Sequence, residues 1–132
     1  AAYDFLNTLA YEKLFERFPN LRIASIENGA EFLPDLFRKL RQSRDRMRGY
    51  YNEDPGELFK RHVWINPFWE DDVNEVAEFM GTDRVIFGSD WPHIEGMPSP
   101  LDYLKDLEKF KSDEIQLIMR DNARGLNTPR PL

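Results

Sequence analysis

Three short apolar runs, separated by stretches of helical character, most constrain the fold of this 132-residue chain. The runs cover residues 21–26, 62–65 and 84–88, and they are rich in β-branched and aromatic side chains, as short buried strands usually are. The stretches between them carry apolar residues at helical spacing. This alternation predicts an α/β fold in which parallel strands are joined by right-handed helical crossovers.

Helices are expected before, between and after the three strands. They are predicted over residues 3–17, 30–50, 54–60, 73–80, 100–110 and 113–126. Asp54 is placed to accept hydrogen bonds from the first turn of the third helix, and Asp71 or Asp72 is placed to do so for the fourth. The fifth helix is expected to bury Leu104 and Leu107.

The length of the chain predicts a single domain over residues 1–132. Hydrophobic residues make up 41% of the sequence, which is enough to exclude a disordered chain. A complete barrel of eight βα units needs roughly 200 residues or more, so the chain is too short for one. Three parallel strands alone leave sheet edges and one sheet face uncovered. We therefore expect a homo-oligomer, or an arrangement of helices that differs from a barrel.

Charge and composition exclude several functional classes. The net charge of −6 disfavours a nucleic-acid-binding protein, which needs a basic surface to neutralise phosphates. The basic residues of the second helix are interpreted as its solvated face. The absence of Cys excludes disulfides and thiolate metal sites. No apolar run approaches the roughly 18 residues of a membrane span, and residues 1–17 lack the apolar core of a signal peptide, so a soluble cytoplasmic protein is expected.

Polar side chains follow each predicted strand at the point where it ends. Glu27 and Asn66 follow the first two strands, and Ser89 and Asp90 follow the third; of these, Glu27, Asn66 and Asp90 are the candidates. Because parallel strands end at a common edge of the sheet, these three residues are expected to lie on one rim. Two carboxylates and an amide there could hold a hard or borderline divalent cation, or could polarise water. The alternative is structural, because any α/β protein places some polar residues at this edge.

The run at residues 85–93, Val-Ile-Phe-Gly-Ser-Asp-Trp-Pro-His, carries a family resemblance. It resembles the last-strand motif of the amidohydrolase-related metal-dependent hydrolases and decarboxylases, including the branch similar to aminocarboxymuconate-semialdehyde decarboxylase. Residues 18–23 and 121–124 resemble the approach to the sixth strand and the closing Asn-Ala helix of that family. The resemblance implies the last three strands of a (β/α)8 barrel, with Asp90 as a metal ligand or as the acid/base beside the metal. The implied metal is zinc or, as an alternative, manganese.

The sequence departs from the family pattern at two places. Many relatives have His-Gly-Gly where this chain has Glu27, Asn28 and Gly29, and the catalytic imidazole there is replaced by a carboxylate. Glu27 is therefore a candidate for proton transfer or metal binding. The family's His-x-His pair and mid-barrel His have no counterpart, because His62 and His93 are the two histidines of the sequence. A zinc or manganese site of this type normally needs two or three His ligands.

The remaining candidates lie near the rim or below it. His93, Trp91 and Asn66 are predicted substrate contacts. The alternatives are that His93 is an ordinary loop residue and that Trp91 packs the top of the barrel. His62 begins the second predicted strand, at the end opposite the rim, and is interpreted as structural.

These observations and the resemblance together favour a metal-dependent hydrolase that acts on a small carboxylated or cyclic substrate. The isolated chain is expected to be inactive, because the upstream ligands are missing. One alternative is a decarboxylase of the same family. Another is a truncated barrel fragment without activity that associates with itself or with the missing barrel half.

Overall fold

The structure is a computed structural model that describes residues 2–129. Its helices and strands are α1 (Ala2–Tyr11), α2 (Leu14–Arg17), β1 (Ile23–Ser25), α3 (Leu33–Arg46), α4 (Pro55–His62), β2 (Val63–Ile65), α5 (Val73–Met80), α6 (Ser112–Gln116) and α7 (Asn122–Asn127). Two 3₁₀ segments, Thr82–Arg84 and Pro100–Lys105, and a π-helical turn, Leu117–Asp121, complete them.

The strands form a small parallel sheet, which confirms the predicted α/β class. β1 and β2 pair in parallel, with Ile23 opposite Val63 and Ser25 opposite Ile65. The amide of Asn66, just past β2, donates to the Ser25 carbonyl at 2.9 Å. The carboxyl ends of both strands therefore meet at one edge.

The third predicted strand, over residues 84–88, is reduced to a single parallel bridge between Ile65 and Val85. The amide of Ile86 donates to the Ile65 carbonyl at 2.8 Å, and the next amide points to the opposite side of the segment, as strand alternation requires. That amide, of Phe87, donates to the Ile118 carbonyl at 3.0 Å, away from β2. Sequence periodicity identified the buried run correctly but could not show that one of its amides bonds to a helix.

The predicted helix over residues 113–126 is divided by the π-helical turn. In that turn the amide of Asn122 donates to the Leu117 carbonyl, five residues back. The Ile118 carbonyl, which a regular α-helix would pair with Asn122, is thus available to Phe87. The π-helical turn therefore allows one backbone hydrogen bond between this helix and the segment that follows Val85.

Three other helix predictions need correction. The helix predicted over residues 3–17 is broken at Lys13, which has a φ of 59° and separates α1 from α2. The helix predicted over residues 30–50 is shorter at both ends in the structure, where α3 covers Leu33–Arg46. His62, predicted to begin a strand, is the last residue of α4.

The segment predicted as a helix over residues 100–110 is partly a 3₁₀ helix. Leu107 is fully buried, as expected, but Leu104 is 41% exposed and Tyr103 is buried instead. A 3₁₀ helix has three residues per turn, so the buried face differs from the one that an α-helical spacing predicts.

The core packs helices against one face of the sheet. Its fully buried members come from every part of the fold, among them Leu36, Phe59, Ile65, Leu107 and Ile118. This arrangement leaves the loops that follow the strands free to form a cleft. Within residues 2–129, no helix combines the length and the apolar character needed to cross a membrane.

The helix starts agree with the cap predictions. Asp54 Oδ1 accepts from the amides of Gly56 at 2.9 Å and Glu57 at 3.1 Å, which satisfies two free donors of α4. Of the two alternatives for α5, Asp72 is the cap, and its Oδ1 accepts from the Asn74 amide at 2.9 Å. Asp71 is left for another role.

Candidate functional site

A cleft of about 800 Å³ opens at the edge of the sheet where the strands end. The structure brings three predicted site residues together in its wall, namely Glu27, Asn66 and Asp90. Its lining consists of Glu27, Asn28, Gly29, Glu31, Phe32, Asn66, Pro67, Phe68, Trp69, Glu70, Asp71, Gly88, Ser89, Asp90 and Glu95. Among these described lining residues six are acidic and none is Lys or Arg, so the cleft is strongly electronegative.

Three potential ligands converge at the cleft. One carboxylate oxygen each from Glu27 and Asp90 and one imidazole nitrogen of His93 lie within 4.8 Å of one another. Glu27 lies two residues past the end of β1, whereas Asp90 and His93 belong to the loop that follows the Val85 bridge. The group therefore joins two segments that are far apart in sequence.

Both acidic members of this group have unusual backbone conformations. Glu27 has a φ of 57° and Asp90 a φ of 54°, in the left-handed region that side chains with a Cβ seldom adopt. Such conformations cost on the order of 1 kcal/mol or more and often occur at functional sites. The surrounding loops must hold them.

The loop of Asp90 is closed on itself. The Met97 amide donates to the Ser89 carbonyl at 2.8 Å, and the Gly96 amide donates to the His93 carbonyl at 3.0 Å. A Cβ on Gly96 would lie 2.5 Å from the carbonyl oxygen of Asp90. A glycine at this position lets the loop fold tightly enough to set Asp90 beside His93.

Asp90 and His93 form a hydrogen-bonded pair. His93 Nδ1–H donates to Asp90 Oδ1 at 2.7 Å, which leaves His93 Nε2 for another partner. The hydrogen bond and charge of Asp90 raise the pKa of His93 above its ordinary value, and the charges of Glu95 and Glu27 add to this effect. Asp90 therefore stabilises the protonated form of His93 relative to the neutral form.

Comparison with protein families identifies the family of the chain. The family model described as Amidohydrolase matches residues 2–126. The chain belongs to the amidohydrolase family. This confirms the resemblance carried by residues 85–93.

A solved structure is similar to this amidohydrolase chain over nearly its whole length. It is the crystal structure of an amidohydrolase from Mycobacterium avium subsp. paratuberculosis K-10, with 40% sequence identity and a TM-score of 0.90. The match covers 94% of this chain and 32% of that protein, so the chain spans about a third of its length. No curated protein matches the chain.

Asn66, predicted to contact substrate, is buried at the floor of the amidohydrolase cleft. Its side-chain Nδ2 donates to the carbonyls of Pro67 and Ile86, each at 3.2 Å. A Cβ on Gly88 would lie 2.8 Å from Nδ2. The side-chain nitrogen Nδ2 of Asn66 is therefore bonded to the backbone carbonyls of Pro67 and Ile86. The side-chain oxygen Oδ1 is the atom left for a substrate.

The aromatic residues near the cleft differ in their placement. Trp91, another of the predicted substrate contacts, is not among the residues that line the cleft and is 65% exposed. Phe32, Phe68 and Trp69 line the cleft instead, and Trp69 Nε1 donates to the Glu95 carbonyl at 3.2 Å. The apolar surface offered to a ligand thus comes from the loops after β1 and β2.

His62 is structural, as its predicted position below the rim indicated. It is 7% exposed, its Nδ1 lies 2.7 Å from the Leu21 carbonyl oxygen, and its ring stacks on Phe15 with a centroid separation of 4.9 Å. The histidine of the ligand group is His93.

The sequence did not single out several acidic residues of the cleft. Glu31, Glu70 and Glu95 lie in loops or at a helix start, where exposed carboxylates are common and give no distinct signal. Asp71 was considered as a helix cap. The sequence offered one signal for Asp71, namely that it stands next to Asp72. A helix start needs one capping carboxylate, so the second Asp of the pair was free to have another role.

The donor set fits a divalent metal ion. Two carboxylate oxygens and one imidazole nitrogen are ligands that zinc and manganese both accept. The separation within 4.8 Å is compatible with three donors around a common centre after small side-chain adjustments. The chemistry of the donors does not favour one of these two metals over the other.

Proposed function

We propose that this chain carries part of the metal centre of a hydrolase, with Glu27, Asp90 and His93 as the residues that hold the ion. The observation that carries the proposal is the convergence of their three ligand atoms within 4.8 Å at the carboxyl edge of the sheet. Membership of the amidohydrolase family supports the reaction class. Zinc is the first candidate for the ion and manganese the second.

The residues would divide the chemistry among them. A divalent ion held there acts as a Lewis acid that polarises a carbonyl group and acidifies water. Asp90 contributes a carboxylate oxygen and accepts a proton through Oδ1, where His93 already donates at 2.7 Å. Glu27 supplies the second carboxylate, in place of the imidazole that relatives have at this position. His93 Nε2 is the nitrogen available to the ion or to the substrate.

We assign β1, β2 and the bridged segment at Val85 to the sixth, seventh and eighth strands of a (β/α)8 barrel. The TM-score of 0.90 over 94% of the chain supports this assignment, as does the match to 32% of the neighbour's length. In such a barrel the active site lies at the carboxyl ends of the strands. The cleft with Glu27 and Asp90 has that position.

The lining of the cleft bears on the substrate. Phe32, Phe68 and Trp69 offer apolar faces to a ring, whereas the six described carboxylates would repel a second negative charge. Of the two substrate types considered, a small cyclic compound is therefore better supported than a carboxylated one. A carboxylated substrate would need the metal ion to offset its charge.

Turnover by these 132 residues alone is not expected, since they correspond to about a third of the similar amidohydrolase. One described edge of the sheet is also open, because β2 is the single strand that pairs with β1. Open strand edges promote pairing with another chain. We propose that the chain self-associates, or binds a segment equivalent to the rest of the barrel.

The deciding experiment measures the metal content of the purified chain by mass spectrometry, beside Asp90→Asn. Stoichiometric zinc or manganese in the wild-type chain and its loss in the variant would support the site. Asp113→Asn, which makes the same chemical change in the first turn of α6, should keep the metal. Metal-free wild-type protein after incubation with either ion would exclude the site in this chain.

A further inference from the structure

The loop that carries Glu27 needs external support. Within three residues it contains two left-handed conformations, at Glu27 with a φ of 57° and at Gly29 with a φ of 63°. The carboxylate of Glu27 is exposed, so burial does not fix it. The loop has one local side-chain hydrogen bond, from Asn28 Nδ2 to the Ile26 carbonyl at 2.6 Å, and a contact from another loop would further hold Glu27 beside Asp90.

Asp71 provides that support through two backbone hydrogen bonds. Its Oδ2 accepts from the Ala30 amide at 2.9 Å, in the loop after β1, and from the Phe68 amide at 2.7 Å, in the loop after β2. Hydrogen bonds to a charged acceptor are roughly twice as strong as those between neutral groups. One carboxylate oxygen thus fastens the two loops of the rim together.

The packing around Gly29 shows how closely the two loops fit. A Cβ on Gly29 would lie 2.7 Å from the ring of Phe68 and 3.5 Å from Asp71 Oδ2. The ring of Phe68 therefore lies directly against the backbone of the Glu27 loop. Loss of the Asp71 carboxylate would release this contact together with both hydrogen bonds.

We propose that Asp71 is a positioning residue that holds Glu27 in the metal-binding group, an inference that rests on the proposed function. Asp71 lines the same cleft, but the three converging ligand atoms belong to Glu27, Asp90 and His93. Its effect on the site is therefore exerted through the loop after β1 rather than by direct ligation.

The test compares Mn²⁺ affinity, measured by electron paramagnetic resonance, in Asp71→Ala and Asp72→Ala. Both changes remove one carboxylate from adjacent positions, but the hydrogen bonds of Asp72 come from Asn74 at the start of α5, whereas those of Asp71 come from Ala30 and Phe68. Outer partners of metal ligands typically contribute about 10- to 100-fold to affinity, and a loss of this size is expected for Asp71→Ala. Asp72→Ala should bind as the wild-type chain does. Equal losses in both variants would overturn the proposal.

Asp71→Asn separates hydrogen bonding from charge. The amide oxygen of Asn can accept the same two backbone donors while the negative charge is lost. Affinity close to that of the wild-type chain is expected for Asp71→Asn. A loss as large as that of Asp71→Ala would show that Asp71 acts by its charge, and the positioning role would be wrong.

A measurement without metal distinguishes failure of this inference from failure of the proposed function. Amide hydrogen exchange of Ala30 and Phe68, followed by NMR in the metal-free chain, should accelerate in Asp71→Ala and remain slow in Asp72→Ala. If the wild-type chain binds no Mn²⁺ but exchange accelerates in this way, the metal site is absent and the support of the loop by Asp71 stands. Unchanged exchange in Asp71→Ala would contradict the role of Asp71 itself.

Discussion

His93 Nδ1 lies 2.7 Å from Asp90 Oδ1, three residues earlier in the same loop. The two residues are held at this distance by the closed backbone between Ser89 and Met97, whose amide–carbonyl contact is 2.8 Å. The side chain of His93 is 63% exposed, so solvent reaches the pair and the imidazole can exchange its proton freely. The pKa of His93 therefore depends on the negative charges of the site and can be used to measure their effect.

Replacement of Asp90 by Asn should lower the pKa of His93. In the folded chain the Asp90 carboxylate raises this pKa above 6.5, because it accepts a hydrogen bond from the protonated ring. Asp90→Asn removes the charge, and the pKa of His93 is expected to fall toward 6.5. An NMR titration of the His93 ring protons measures this change.

Glu95→Gln is the matched control for that titration. Glu95 acts on His93 through charge alone and without a hydrogen bond, so its loss should lower the pKa by less than Asp90→Asn does. A larger fall with Glu95→Gln would contradict the hydrogen-bonded pair. By linkage, the stabilisation from this pair is complete below pH 6.5 and is lost as the pH rises through the raised pKa of His93.

The buried amide of Asn122 is expected to be important for stability. Its Nδ2 donates to the carbonyls of Thr82 at 2.7 Å and Val85 at 2.8 Å, and so ties α7 to the segment that leads to Asp90. Asn122→Ala leaves these acceptors without their partner and should lower the free energy of unfolding by about 1–3 kcal/mol.

Urea denaturation followed by circular dichroism measures the Asn122 effect. Asn127→Ala is the control, because Asn127 is exposed and bonds the Ala123 carbonyl of its own helix at 2.9 Å. The free energy of unfolding of Asn127→Ala should stay within about 0.5 kcal/mol of the wild-type value, as is usual for substitutions at the surface. Equal losses in the two variants would mean that the contacts of Asn122 to Thr82 and Val85 contribute little.

The sequence predicted the features of this fold that depend on local periodicity and on the family motif. The buried runs, the cap at Asp54 and the common edge of Glu27, Asn66 and Asp90 follow from side-chain pattern and strand direction. Predicting these features does not require knowing which residues far apart in sequence are in contact. They were sufficient to locate the cleft.

Features that depend on contacts between distant backbone groups were not predicted. The amide of Phe87 bonds the Ile118 carbonyl, and this acceptor is available through a π-turn that no residue pattern marks. The role of Asp71 depends on donors in another loop, 41 residues away in the case of Ala30. Interactions of this kind become visible only when the loops are placed in space.

Two glycines with left-handed backbones allow the packing of the Glu27 loop to be tested. Gly29 has a φ of 63° and Gly49 a φ of 80°, so alanine at either position costs roughly 1–2 kcal/mol in conformation. A Cβ on Gly49 meets no atom within 4 Å, whereas one on Gly29 would lie 2.7 Å from Phe68. Gly29→Ala should therefore destabilise the chain more than Gly49→Ala in thermal unfolding. Similar losses would indicate that Phe68 does not press on the loop.

The open edge of β1 predicts how the chain associates. The Ser25 carbonyl accepts a hydrogen bond from the Asn66 amide, so the backbone N–H and C=O of Ser25 point toward β2. Because these groups alternate in direction along a strand, the backbone N–H and C=O of Ala24 point toward the open edge. Sedimentation equilibrium should show a concentration-dependent dimer or larger species of the wild-type chain.

Ala24→Pro removes one outward amide without touching the β1–β2 ladder, and is tolerated best at such an edge position. It should shift the equilibrium toward monomer while circular dichroism stays unchanged. A wild-type chain that is monomeric at every concentration would contradict self-association, and an Ala24→Pro chain that associates as strongly as wild type would locate the contact away from β1.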